Sequence, residues 1–249
     1  MAIKLLVSGL LELESGKTWF TVGLATALRT LGARVMAYKP VAAYNIWSSW
    51  DPVESSLRHG ILAGNDALIY IEQLGDSNIH LVNPVSLMLA YPDPLLFSGV
   101  AQYLARISSI EGMVVLARFS SCAEGSAVHY YVPENVERLG PSFRKIVEEL
   151  VKATGATPIS ASRLVEKLST ASAAENLAAC LTILDRSYDV VVIESFNNAV
   201  VPFAGLEGRV DYFIVVAPGR AIVFDGDKLR KVSEIVSGLV MLKTDKVLA

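Results

Sequence analysis

The run Val190-Val-Val-Ile193, set in "YDVVVIES", has no polar residue among its apolar positions. A strand with one wet face alternates apolar and polar side chains. A continuous β-branched run belongs to a strand covered on both faces, as in a parallel sheet flanked by helices. Ile3 to Ser8, Arg34 to Tyr38, Met113 to Leu116 and Phe213 to Ala217 also read as strands. Helical stripes lie between them, at Phe20, Leu24, Ala27, Leu28 and Leu31, at Phe143, Ile146, Val147, Leu150 and Val151, and at Leu229, Val232, Ile235, Val236 and Leu239. Gly32 stops the first helix and Pro40 ends the second strand, so the chain opens with a βαβ unit. The pattern predicts an α/β fold with a doubly wound, mostly parallel sheet flanked by helices. "MVVLARFSS" and "AVHYYVP" flank a Ser/Cys/Ala/Glu/Gly segment and predict a β-hairpin extension over residues 113–133. No linker or repeat divides residues 1–249, and a single domain is expected.

Composition narrows the function classes. Hydrophobic residues make up 52% of the chain, enough for a sizeable core, yet no uncharged apolar run approaches the ~18 residues of a membrane span. No membrane partner is expected. The net charge of -3, with no Lys/Arg cluster to override it, gives no footprint for nucleic acid. Cys122 and Cys180 are the only cysteines and stand apart from any His at metal spacing, so reduced structural thiols are expected and zinc is not. The opening Met-Ala-Ile-Lys runs straight into a strand without a signal-peptide pattern, and the cytoplasm follows as the expected compartment.

The segment "VSGLLELESGKTWF", Val7 to Phe20, carries the chemistry. Gly16, Lys17 and Thr18 stand between a strand and a helix, where backbone N–H groups and a helix N-terminus bind phosphate. Lys17 would neutralise the β- and γ-phosphates and Thr18 would ligate Mg²⁺ through its hydroxyl. The usual glycine five residues before Gly16 is replaced by Leu11, and the nearest upstream glycine is Gly9. A metal-side carboxylate is also required, at the carboxyl end of a strand. Glu194 ends "DVVVIE" and fits; Asp211 begins a strand instead, and Arg118 has the wrong sign.

Five motifs in order resemble dethiobiotin synthetase and its P-loop relatives. Glu14-Ser-Gly-Lys-Thr18 resembles the family's Glu-x-Gly-Lys-Thr, and "YKPVA" (Tyr38 to Ala42) is similar to its Lys-Pro-Val. "NDAL" (Asn65 to Leu68), "VNP" (Val82 to Pro84) and "DVVVIES" follow at compatible spacing. The resemblance implies a homodimer binding ATP and Mg²⁺. Glu14, Ser15, Gly16, Lys17 and Thr18 would form the nucleotide loop; Thr18, Asp66 and Glu194 would serve the metal; Lys17 and Lys39 would be catalytic, with Lys39 facing the γ-phosphate and the group being activated. The implied chemistry is phosphoryl transfer to a carboxylate or carbamate of a small substrate, followed by attack of an amine. No Asn-Lys-x-Asp base-reading motif is present, and its absence identifies no other base, so GTP stays open beside ATP.

The chain also departs from the family. Glu12 adds negative charge beside a phosphate site and must point away or find a cation or amine. The glycines expected after Glu194 are replaced by Ser195-Phe-Asn-Asn198, which points to a changed substrate or to an ATP-dependent dimerising switch without ligase activity. Trp47 and Trp50 stand after Lys39 where smaller residues are expected. Packing is the commoner use of such rings, and lining a site for a larger, flatter ligand is the alternative.

Overall fold

The computed structural model describes residues 1–12, 14–76, 78–236, 238–240 and 242–247. Its strands are β1 (Ile3–Gly9), β2 (Val35–Tyr38), β3 (Val41–Asn45), β4 (Val85–Leu89), β5 (Val114–Ser121), β6 (Ser126–Tyr131), β7 (Thr157–Pro158), β8 (Val190–Glu194), β9 (Tyr212–Ala217) and β10 (Arg220–Asp225). They form two mixed five-stranded sheets flanked by helices, in the orders β10-β9-β1-β8-β2 and β3-β4-β5-β6-β7. The arrangement is compatible with a Rossmann-like or P-loop fold.

The first sheet has a parallel centre. β1 lies between β8 and β9, and β2 pairs with the outer side of β8, all parallel. Every residue of β2 and β8 is buried, as a strand covered on both faces requires. Helix Lys17–Thr30 packs against β1, β2 and β8, and helix Ala171–Ser187 buries Leu177, Cys180, Leu181 and Leu184. The exposed edge strand β10 runs antiparallel to β9.

The second sheet corrects the expectation of one mostly parallel sheet. β3 and β4 are parallel, but β4, β5 and β6 are antiparallel. The hairpin is therefore the middle of a sheet and not an extension from one. It was hard to place because β5 continues past Leu116 with polar residues that are nevertheless buried, Arg118 and Ser120. Register aligns Ala42, Ser86, Arg118 and His129 across four strands. Helices Asp51–His59 and Pro141–Thr154 pack together over this sheet around a second apolar cluster that includes Val53, Leu116, Val147 and Leu150.

The two sheets meet at Lys39-Pro40. β2 passes through these residues into β3, the Lys39 amide donates to the Val82 carbonyl at 2.7 Å, and the Val85 amide donates to the Pro40 carbonyl at 3.1 Å. A buried lysine thus sits where the strand order changes hands. Two further expectations are corrected. Cys122 and Cys180 form a disulfide with Cα atoms 5.3 Å apart, so they are not reduced thiols; it ties the end of β5 to helix Ala171–Ser187 across 58 residues of sequence. The last long helix ends at Ile235, and Leu239 is buried beyond it in non-helical chain. Among the described residues, no helix is long and apolar enough to cross a membrane.

Candidate functional site

Two strand ends and two helix starts converge at the carboxyl edge of the first sheet. β1 ends at Gly9, β8 ends beside it at Glu194 through the pairing of Val7 with Glu194, and helices Lys17–Thr30 and Asn65–Leu74 begin there. Gly16 precedes the first of these helices at φ 84°, a left-handed conformation cheap only for glycine, and Glu14 also has positive φ, at 55°.

Gly9 resolves the missing glycine. A Cβ built there would lie 2.9 Å from Lys17 Nζ and 2.6 Å from Ser15 Oγ, so only a glycine lets the lysine fold back over the strand end. Leu11 serves elsewhere. Its amide donates to Ser15 Oγ at 2.9 Å and its carbonyl accepts from that hydroxyl at 2.7 Å, which closes the loop on itself. Ser15 is therefore spent on holding the loop, with its side chain turned to Leu11. Glu12 finds its amine in Lys243, 3.0 Å away.

Beyond the loop the expected residues come together. Thr18 Oγ1 lies 3.1 Å from Asp66 Oδ1 and 3.3 Å from Glu194 Oε1. Lys39 Nζ lies 2.6 Å from Glu194 Oε1 and 2.8 Å from Asp66 Oδ2, and donates to the Ser195 carbonyl at 3.1 Å. Tyr70 donates its hydroxyl to Glu194 Oε2. Burial opposes the charge on Lys39, but Asp66 and Glu194 overcome it and hold the ammonium above its usual range. Burial pushes the Glu194 carboxyl up, with Lys39 opposing. Asp66 meets the same burial, but Lys39, Thr18 and Lys17 outweigh it and the carboxyl is lowered.

Lys17 differs from Lys39. It is buried, and among the described residues no carboxylate lies within ion-pair distance of it. Burial, then the nearby Lys39, lowers its pKa. Its ammonium lines a cavity of about 300 Å³ walled also by Glu14, Gly16, Thr18, Lys39, Asp66 and Glu194. A desolvated cation with no carboxylate in ion-pair distance, at a helix N-terminus, has the chemistry to attract an anion.

Among the described residues no three His, Cys, Asp or Glu side chains form a self-contained metal site. The Thr18 hydroxyl, Asp66 and Glu194 make an all-oxygen set, which suits a hard cation such as Mg²⁺ that takes one or two carboxylates and completes its shell with phosphate oxygens and water. Those residues fit the ion, with Lys39 holding the same two carboxylates.

Sequence reasoning missed three supporting residues. Tyr70 lies one turn after Asp66 on the same helix face, a spacing that was legible. Asn83 stood within the "VNP" motif without an assigned role; its Nδ2 donates to the Lys39 carbonyl at 2.9 Å and the Val85 carbonyl at 2.7 Å, fixing the backbone that presents Lys39. Lys243, far along the chain, carried no signal. Trp47 and Trp50 are exposed and do not line this cavity; Trp47 packs edge-on to Phe143 at 5.8 Å. No protein-family model, curated protein or solved structure matches the chain.

Proposed function

We propose that the chain is a magnesium-dependent, ATP-binding and ATP-hydrolysing enzyme on a doubly wound P-loop fold. In this reading it resembles dethiobiotin synthetase and activates a carboxylate or carbamate of a small molecule by phosphoryl transfer. The observation that carries the reading is the buried Lys17 ammonium, folded over Gly9 at a helix N-terminus without an ion-pair contact, beside the Thr18, Asp66, Glu194 and Lys39 cluster.

Lys17 and the amides at the start of helix Lys17–Thr30 bind the phosphates. Thr18, Asp66 and Glu194 would hold Mg²⁺, which offsets charge on the phosphates when bound. The acceptor oxygen attacks the γ-phosphorus, the bond to the bridging oxygen breaks, and its electron pair leaves on ADP. Lys39 lies in the same cavity and supplies positive charge to the transferring group. Tyr70 and Asn83 position Glu194 and Lys39. Most of such catalysis is placement and charge neutralisation.

Calorimetry with Mg-ATP tests the reading. Lys17→Ala is expected to abolish binding, and unchanged affinity would return the loop to an ordinary βα turn. Turnover with 7,8-diaminopelargonate plus bicarbonate then separates the family's own reaction from a changed substrate.

A dimerising ATP switch is the second reading, favoured by the exposed apolar residues Leu95, Leu96, Val100 and Leu104. Equal mass in solution with and without a nonhydrolysable ATP analogue would remove it.

A further inference from the structure

A second cavity of about 330 Å³ adjoins the phosphate cavity and shares Glu12, Phe196 and Asn197 with it. Its volume falls within the about 300–1,000 Å³ of small-molecule sites. Its composition is opposite to that of its neighbour. Val41 of β3, Leu87 of β4, Ile110, Val165 and Leu168 of the covering helices, and Val201 after β8 line it. The charged side chains among its described lining are Glu12 and Lys243, which already neutralise each other at 3.0 Å.

The walls are tied in place. Thr244 donates from its amide at 2.8 Å and its hydroxyl at 3.0 Å to the Asn198 carbonyl, and the Ser195 hydroxyl donates to the Ala199 carbonyl at 2.7 Å. The loop after Glu194 is therefore fastened to the segment that carries Lys243. Asn197 holds φ 46° within it, an uncommon value for a non-glycine residue.

We propose that this cavity holds the hydrocarbon tail of the phosphoryl acceptor, a monocarboxylic acid whose carboxylate lies at the shared wall. The assignment rests on the ATP-dependent reading above. An uncharged far end suits this cavity best, because apart from Glu12, Ser169, Asn197, Asn198 and Lys243 its described lining is apolar and a charge held there without a partner is penalised. A diacid or an amino acid charged at both ends is disfavoured by the same argument. At the head, a carboxylate oxygen attacks the γ-phosphorus of ATP, the phosphorus–oxygen bond to the β-phosphate breaks with its electron pair leaving on ADP, and an acyl phosphate forms without proton transfer.

The test is calorimetric titration of wild-type protein with hexanoate, octanoate, decanoate and octanedioate, in the presence of Mg²⁺ and a nonhydrolysable ATP analogue. Each added methylene is expected to tighten binding about fourfold until the cavity is full. Octanedioate is expected to bind at least about tenfold more weakly than octanoate, because its second carboxylate must be buried unpaired. Leu168→Trp, which fills the cavity from its covering helix, is expected to abolish the dependence on chain length. Val165→Trp repeats the test from the same helix should the first variant not fold.

Equal affinity for octanoate and octanedioate, or no binding of either, overturns the proposal. If that result accompanies Mg-ATP binding that Lys17→Ala removes, the ATP-dependent reading stands without this substrate class. Octanoate binding without Lys17-dependent ATP binding overturns the acceptor role and the nucleotide reading together, since a tail site then has no phosphoryl donor.

Discussion

Lys39 and Arg118 are both buried, and they are compensated in opposite ways. Lys39 is held between Asp66 and Glu194, which keep it charged despite burial. Arg118, fully buried in the second sheet, has no carboxylate within ion-pair distance among the described residues; it donates to the Asn83 backbone carbonyl and, at 3.2 Å, to Asn83 Oδ1, while its Nε and Nη1 have no partner. Burial alone lowers its pKa to about 9. Both cations converge on Asn83, whose amide holds the Lys39 carbonyl. A charge kept where carboxylates cluster is available for chemistry. A charge kept against backbone carbonyls holds the chain that presents the first.

The largest test of this contrast is Lys39→Met. It leaves Asp66 and Glu194 facing each other without their cation, and removing one partner of a buried ion pair costs about 3–5 kcal/mol. Urea denaturation should show a loss of that size. A loss below about 1 kcal/mol would mean that the carboxylates do not depend on Lys39, and the contrast would fail.

Tyr70→Phe probes the same cluster less severely. The lost hydroxyl is a donor to a buried carboxylate, and hydrogen bonds to charged groups contribute about 1.5–3 kcal/mol. The variant is expected to lose stability in that range. An unchanged denaturation midpoint would show that Glu194 is satisfied by Lys39 and Thr18 alone.

The Arg118 region should answer to acid through a buried histidine. His129 Nε2 accepts the Leu62 amide at 3.1 Å, and burial, then Arg118 and His80, lower its pKa to about 4 from 6.5. Between those values the unfolded chain binds the proton and the folded chain does not, so stability declines as pH falls from 6.5 towards 4. His129→Gln keeps an acceptor and removes the titration. Its denaturation midpoint should vary less than that of wild type over this window, and parallel curves would place the titrating group elsewhere.

The sequence exposed the first sheet more fully than the second, for physical reasons. β8 is apolar throughout, and a run such as Val190–Ile193 cannot be mistaken. β5 buries Arg118 and Ser120, and neither hydrophobic pattern nor composition marks a polar residue as internal. The first helix shows the same limit. Its buried residues include Lys17 and Thr21, which face the polar cluster, whereas Leu31 of the predicted stripe is exposed because the helix ends before it at Thr30. Within the site, the residues at strand and helix ends were readable from motif and position. The role of Asn83, though it lies in a quoted motif, and the part played by Lys243 were not, since both depend on contacts between segments distant in sequence.

The smallest expected effect belongs to Arg118→Met. The substitution removes charge-assisted bonds to Asn83, which typically contribute about 1.5–3 kcal/mol. It also removes two buried donors without partners, each of which costs the folded state about 1–3 kcal/mol. Methionine is flexible and apolar enough to occupy much of the vacated space. These terms oppose each other, and the net change in urea denaturation should stay within about 1 kcal/mol of wild type. Nothing comparable offsets Lys39→Met, because the carboxylates around Lys39 stay behind. A loss near that of Lys39→Met would mean that Arg118 has a counter-charge after all, and the two cations would then be alike.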